Sequence, residues 1–182
     1  MLVKAKPVCG FTIIELMVTI AVAAILLVLA IPNFREALIR SNVTELNNSL
    51  IHAFNLARSE AVRRGKRVRV QSVGDSSDWN KGWTVSADVN GDATYSLDMT
   101  SQSAVPVHYS VCTSATGGGS PGTVIFTPLG SLDSTAGMSR LDINVNRPDT
   151  QPTLSQQVWV TASGQVQSKR NVTGSPAAAT CP

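Results

Sequence analysis

Charged residues are scarce in this chain of 182 residues: Asp, Glu, Lys and Arg together make 15%, where an average soluble domain has roughly 25%. A deficit of that size means that part of the chain avoids water. Aromatic residues make only 5%, with two histidines and three cysteines in the whole sequence. The apolar content, 43%, is too high and too unevenly placed for a disordered or collagen-like chain. The histidines and cysteines lack metal-ligand spacing, so no metal centre is expected. His52 falls within a helical pattern and His108 beside Tyr109 in an alternating one. Neither comes with a nucleophile elbow or a glycine-rich phosphate loop. No catalytic residue and no cofactor are expected, and the chain does not read as an enzyme.

What the chain has is a single apolar run. Residues 11–31 (FTIIELMVTIAVAAILLVLAI) carry one charge, Glu15. As a helix this run spans roughly 30 Å, the thickness of a bilayer core. Lys4 and Lys6 precede it, and Arg35 and Arg40 follow it. The run is too long for a secretory h-region and ends without an A-x-A-like site. It therefore reads as an uncleaved anchor with its amino end in the cytoplasm and the rest exported. Glu15 does not fit a plain anchor, because a carboxylate inside a membrane costs about 2–3 kcal/mol unless it meets a partner.

After the run the helical pattern continues. Phe34, Leu38, Leu46, Leu50, Ala53, Phe54, Ala57 and Ala61 recur at spacings of three and four, between polar residues. Gly65 is a fitting stop, with Arg63 and Arg64 placed for the carboxyl end of the helix dipole. The domain organisation expected is a 1–10 leader, an 11–31 membrane or filament-core helix, a 32–64 amphipathic continuation and a 65–182 β domain. Beyond Gly65 the period becomes alternating: Val68, Val70 and Val73; Trp83, Val85, Ala87 and Val89; Tyr95, Leu97 and Met99. Val105, Val107, Tyr109 and Val111 follow, then Val124 and Phe126, then Leu141, Ile143 and Val145. Val158 and Val160 meet Val166 across a Ser163-Gly164 turn. About eight short strands make a mostly antiparallel domain, so the fold class is α+β. Thr113 to Gly122 reads as a loop and 171–180 as a loose tail.

One cluster of charge stands out. Arg58, Arg63, Arg64, Lys66, Arg67 and Arg69 have only Glu60 opposing them between positions 58 and 69. Such a cluster either neutralises phosphates, with steep salt dependence, or is solvated and paired with acidic neighbours.

Gly10-Phe11-Thr12-Ile13-Ile14-Glu15-Leu16 resembles the processing motif of type IV pilins and type II secretion pseudopilins. The resemblance implies cleavage by prepilin peptidase between Gly10 and Phe11 and methylation of the new amine. It also implies that Glu15, in a filament core, pairs with the Phe11 amine of a neighbouring subunit, which a buried carboxylate needs. Pro32 matches the family's helix-kinking proline. Trp79-x-x-Gly82-Trp83, followed by Asp88-x-Asn90-Gly91, is similar to the pattern of GspH/FimT-type pseudopilins and minor pilins, and Phe126-Thr127-Pro128-x-Gly130 fits the same family. The implied fold is pilin-like: a long amino-terminal helix on a mostly antiparallel β domain. Asp88 to Asp92 reads as a turn, since the downstream glutamate of a calcium loop is missing.

DNA-binding members of the family carry Gly-Arg-x-Arg on the late hairpin. Here the segment is Gly164-Gln165-Val166-Gln167, with Lys169 and Arg170 beyond it. A DNA-binding set, if formed, would be Arg63, Arg64, Lys66, Arg67, Lys169 and Arg170. Cleavage after Gly10 removes Cys9 and leaves Cys112 and Cys181, an even pair expected to form a disulfide in an oxidising compartment and to pin the carboxyl tail to the β domain. It also leaves 13 Lys+Arg against 12 Asp+Glu, a net +1. The function implied is a FimU-like minor pilin that helps assemble or prime a type IV pilus tip. The alternatives are a DNA-binding minor pilin for natural transformation and a type II secretion minor pseudopilin. The expected location is the bacterial inner membrane with a periplasmic carboxyl-terminal domain, then the pilus at the cell surface. The expected partners are other pilins, prepilin peptidase, the inner membrane before assembly and, in the DNA reading, DNA.

Overall fold

A computed structural model describes residues 10–170 apart from 75–76, 134–136 and 148–154, and leaves aside the side chains of 29–33. The chain divides into two units, Met1–Ile39 and Arg40–Pro182. Helix α1, Ile13–Arg64, belongs to both and is continuous through Pro32.

Among the described side chains of the first unit none is buried. Ile13, Ile14, Leu16, Met17, Ile20, Ile25, Leu26 and Leu27 are all exposed, on every side of the helix. Among the described residues no helix is long and apolar enough to cross a membrane. The described side chains of the apolar run stop at Val28, before the 11–31 segment is complete.

In the second unit α1 is one-sided. Val43, Leu46, Leu50, Ala53, Phe54, Ala57 and Ala61 are buried at the spacing that puts them on one face. The amphipathic face starts later than expected: Phe34 and Leu38 are 65% and 49% exposed, and Val43 is the first core residue. The helix ends as anticipated. Gly65 takes φ +63°, and the Lys66 N–H donates to the Ala61 carbonyl at 3.3 Å. That bond satisfies a carbonyl the last turn would otherwise leave unpaired.

Among the described residues eight strands follow: β1 Val68–Ser72, β2 Trp83–Asp88, β3 Tyr95–Gln102, β4 Ser110–Thr116, β5 Thr123–Phe126, β6 Arg140–Asn146, β7 Gln156–Thr161 and β8 Val166–Arg170. They form two four-stranded sheets, ordered β3-β2-β1-β5 and β4-β6-β7-β8. Every pairing is antiparallel. Val68 and Val70 of the first sheet, Ile143 and Val158 of the second, and Phe54 of α1 join one core. Among the described residues every core side chain lies between Val43 and Val160, within the 40–182 unit. Phe54, Trp79 and Trp83 form its aromatic centre, with ring centroids 6.0 and 6.2 Å apart. The one polar atom of the Trp79 ring donates to the Pro121 carbonyl at 2.8 Å, so its burial costs no hydrogen bond.

Several expected boundaries move. β1 stops at Ser72 and β2 at Asp88, leaving Val73 and Val89 outside and exposed. Val105, Val107 and Tyr109 are not strand: the Tyr109 N–H closes a turn on the Pro106 carbonyl at 3.1 Å. His108, expected in that strand, sits in the turn with φ +82°. Thr113 to Thr116, expected as the start of a loop, continue β4 because each finds a register partner on β6. There ladder pairing overrides a turn-prone composition. The 171–180 tail, Lys4, Lys6, Cys9 and Cys181 lie outside the described residues.

Candidate functional site

The amino-terminal segment is built by a helix start. The Thr12 hydroxyl accepts the Glu15 N–H at 3.3 Å, and the Thr12 carbonyl accepts the Leu16 N–H at 3.2 Å. Thr12 is therefore the N-cap of α1. Thr12-x-x-Glu15 is the spacing of a capping box, a local sequence signal for this helix start. The helix thus begins just after Gly10-Phe11 and leaves that peptide outside it.

Gly10 is exposed, and a methyl group on it would meet nothing within 4 Å. Among the described residues no contact requires a glycine there, in contrast to Gly130 and Gly164. Phe11 is 82% exposed, and Glu15 is exposed beside the uncovered apolar side chains. A carboxylate and twelve large apolar side chains without cover make a surface suited to lipid or to other helices.

The basic cluster, by contrast, is largely occupied. Glu60 accepts from Arg63 Nε at 3.0 Å and from Arg64 Nε at 2.7 Å. These bonds hold the Glu60 carboxyl down at about 2. Arg63 is correspondingly raised by its bond to Glu60. Arg58 Nε donates to the Gly130 carbonyl at 3.0 Å. Arg67 pairs with Asp133 at 3.2 Å. Arg69 stacks on the Tyr95 ring at 4.4 Å, and burial raises the Tyr95 phenol despite the opposing pull of Arg67 and Arg69. Lys66 reaches over Gly91, with Nζ 3.2 Å from where a Cβ would stand.

Lys169 and Arg170 do not join this cluster. Arg170 pairs in register with Gln156, whose side chain donates to Thr44 of α1 at 3.0 Å. The opposite end of the β7–β8 hairpin, at Gly164, rests on Gly130, which holds Arg58. Thr44 and Arg58 are fourteen residues apart on α1, about 21 Å along the helix. The two halves of the expected DNA-binding set therefore sit at opposite ends of the hairpin.

The Asp88-Val-Asn-Gly-Asp segment is a turn with a buried anchor. Asp88 is 2% exposed and accepts the Gly91 N–H at 2.6 Å and the Ala93 N–H at 3.1 Å. Asp92 caps the Thr94 N–H at 2.8 Å, which lowers its own carboxyl. Among the described residues no group of acidic, histidine or cysteine side chains is arranged to hold a metal. Cys112 is disulfide-bonded, and both other cysteines lie outside the described residues.

Residues 47–164 match the profile of the type II transport protein GspH. The chain belongs to the GspH family. Residues 6–31 match the prokaryotic N-terminal methylation motif, which brackets Gly10, Phe11 and Glu15. A Pseudomonas aeruginosa fimbrial protein is 29% identical over 91 residues, half of this chain. The chain spans 58% of that relative's length. The fold is similar to that of the P. aeruginosa type IV minor pilin FimU, with a TM-score of 0.54 and 17% identity over 73% of this chain and 89% of FimU. It is equally similar to the minor pseudopilin EpsH of the Vibrio cholerae type II secretion system, with a TM-score of 0.54 and 12% identity over 71% of this chain and 97% of EpsH. At these identities the likeness is one of fold. It covers the GspH-family architecture of a helix on an antiparallel β domain.

Proposed function

We propose that this GspH-family chain is a prepilin, cut between Gly10 and Phe11, whose mature form is a minor subunit of a type IV pilus acting in tip assembly or priming. The observation that carries the reading is the apolar helix start. Phe11 through Val28 is exposed on all sides, and only lipid or neighbouring helices can cover such a surface in water. The inner membrane serves before assembly and the other pilins after it. Glu15 then pairs with the Phe11 amine of a neighbour, since a lone carboxylate in that setting is costly. The open site at Gly10 fits a glycine required by an outside enzyme, prepilin peptidase, rather than by packing.

Cys112 pairs in this reading with Cys181, because cleavage removes Cys9. The bond joins β4 to the carboxyl end in the periplasm. DNA binding fits the geometry less well, since most of the cluster's arginines already hold partners and Lys169 and Arg170 stand apart. The type II secretion pseudopilin is the second reading, supported by the fold likeness to EpsH.

The test is Gly10→Val in the organism that carries the gene, which should leave an uncut precursor, while the parent chain yields a mature form starting at Phe11. Mature protein from the variant would overturn the processing assignment. Deleting the gene should reduce piliation and leave protein secretion intact. Loss of secretion with normal pili would move the chain to the pseudopilin reading.

A further inference from the structure

The two sheets present four edges, and they are not equally protected. An uncovered edge strand offers a row of free N–H and C=O groups to any other strand. β5 is covered by its own chain: the Asp133 N–H donates to the Ile125 carbonyl at 2.8 Å, and Phe126 bridges Leu132. β4 is capped at one end, where Asn80 Oδ1 accepts the Val111 N–H at 2.7 Å. β3 and β8 remain, with no strand beyond them among the described residues.

These two edges are opposite in charge. Asp98 is the one charged residue of β3, and β8 carries Lys169 and Arg170 and no acid. None of the three has a hydrogen-bond or ion-pair partner among the described residues. Beside Asp98 lies a cavity of about 270 Å³, lined also by Leu56, Glu60, Arg64, Leu97 and Met99. A long cationic side chain fits such a space, with its stem on Leu97 and Met99 and its head at Asp98. Pairing β3 with another β3 would bring two Asp98 carboxylates together, and pairing β8 with β8 would crowd four cations. Like charges across a strand pair are destabilising, and opposite ones are favourable. Charge thus selects the mixed pair against both like pairs.

We infer that the β3 edge of one copy receives the β8 edge of a second copy, with the Lys169–Arg170 end of β8 beside Asp98 and one of these two cations, which point to opposite faces of the strand, directed to it. Such a contact is heterologous: each copy offers both edges, and repetition extends an open chain instead of closing a dimer. The two irregular positions of β3, between Val85/Ser86 and Ala87/Asp88 of its register, limit how many backbone bonds a partner can make. The charges therefore set the choice of partner, and the backbone sets its direction. The inference concerns the globular unit alone and stands or falls separately from processing and helix packing.

Sedimentation of the 40–182 unit at rising concentration and low salt tests it, with circular dichroism confirming that each variant is folded. The parent should associate, and association should weaken at least tenfold between 20 and about 300 mM salt, as charge pairing requires. Asp98→Lys alone, and Lys169→Glu with Arg170→Glu, should each weaken association at least tenfold. Mixing those two variants, or combining all three substitutions in one chain, should restore it to within about threefold. A parent that stays monomeric at millimolar concentration overturns the inference. So does association that survives either reversal made alone, or that the mixture fails to restore.

Discussion

Gly164 lies so close over the carbonyl oxygen of Gly130 that a Cβ on Gly164 would overlap that oxygen. Gly130 holds the Arg58 side chain through the same oxygen, and the adjoining Leu132 N–H donates to the Ala162 carbonyl at 3.0 Å. One contact between two glycines therefore joins α1, the β5–β6 connection and the β7–β8 hairpin. The glycine of the late hairpin has a packing role independent of whether the residues after it bind anything.

Gly164→Ala should destabilise the 40–182 unit by about 2–4 kcal/mol, from overlap added to the strain of a left-handed backbone. Gly74→Ala is the control, because Gly74 has φ +84° and nothing within 4 Å. There the strain acts alone, roughly 1 kcal/mol. Thermal denaturation should show the larger drop for Gly164, and equal drops would mean that the contact with Gly130 is not tight.

Asp88 should be worth more to stability than an ordinary turn residue. Replacing it with alanine removes the acceptors of the Gly91 and Ala93 N–H groups, which lie in an exposed turn, at about 1–2 kcal/mol. Asp88→Asn keeps one acceptor and should lose less. Urea unfolding of the two variants gives the comparison, and equal losses would refute the role assigned to the second oxygen.

Acid should release the bond at the helix end. Glu60 is lowered from 4.5 to about 2 by Arg63 and Arg64. Its contribution is therefore fully present above pH 4.5 and is lost as pH falls from there through about 2. Glu60→Gln should flatten that part of the stability–pH curve and leave the rest unchanged. The exposed setting makes the effect small and salt-sensitive. A variant curve that parallels the parent across this window would show that the pair contributes nothing.

DNA should bind the 40–182 unit weakly if the arginines serve the fold. A gel-shift titration across salt should show no submicromolar affinity, and Arg63, Arg64 and Arg67 to alanine should change little. Submicromolar, salt-steep binding that the triple variant abolishes would instead establish a nucleic-acid surface.

Cys181→Ser should expose a free thiol at Cys112 and cost the folded unit about 2–4 kcal/mol. Thiol titration under denaturing conditions reads the first, and thermal unfolding the second. A chain that keeps Cys112 oxidised after that change would have another partner for it.

Local pattern was enough wherever one short-range force dominates. The apolar run, the helix stop at Gly65, the hairpin at Ser163-Gly164 and the alternation of most strands were legible because each rests on spacing or on one backbone requirement. His108 and Thr113–Thr116 were misread for the opposite reason. Val105, Val107 and Tyr109 alternate like a strand, yet a turn on Pro106 takes them out of the ladder. Thr113 to Thr116 look like a loop, yet β6 supplies partners. The candidate sites divide in the same way. Gly10, Phe11 and Glu15 form one continuous motif, while the partners of the arginines come from Asp133, Gly130 and Tyr95, far along the chain.

The sequence by itself determined the apolar helix, its join to an antiparallel domain and the motif at its start, because hydrophobic period and backbone capping act over a few residues. Only the tertiary structure decided what the charges do. It put Glu60, Asp133 and Tyr95 against the arginines, separated Lys169 and Arg170 from them, and left Asp98 on an open edge. Charge interactions depend on distance through space, and that distance is set by which strands pair.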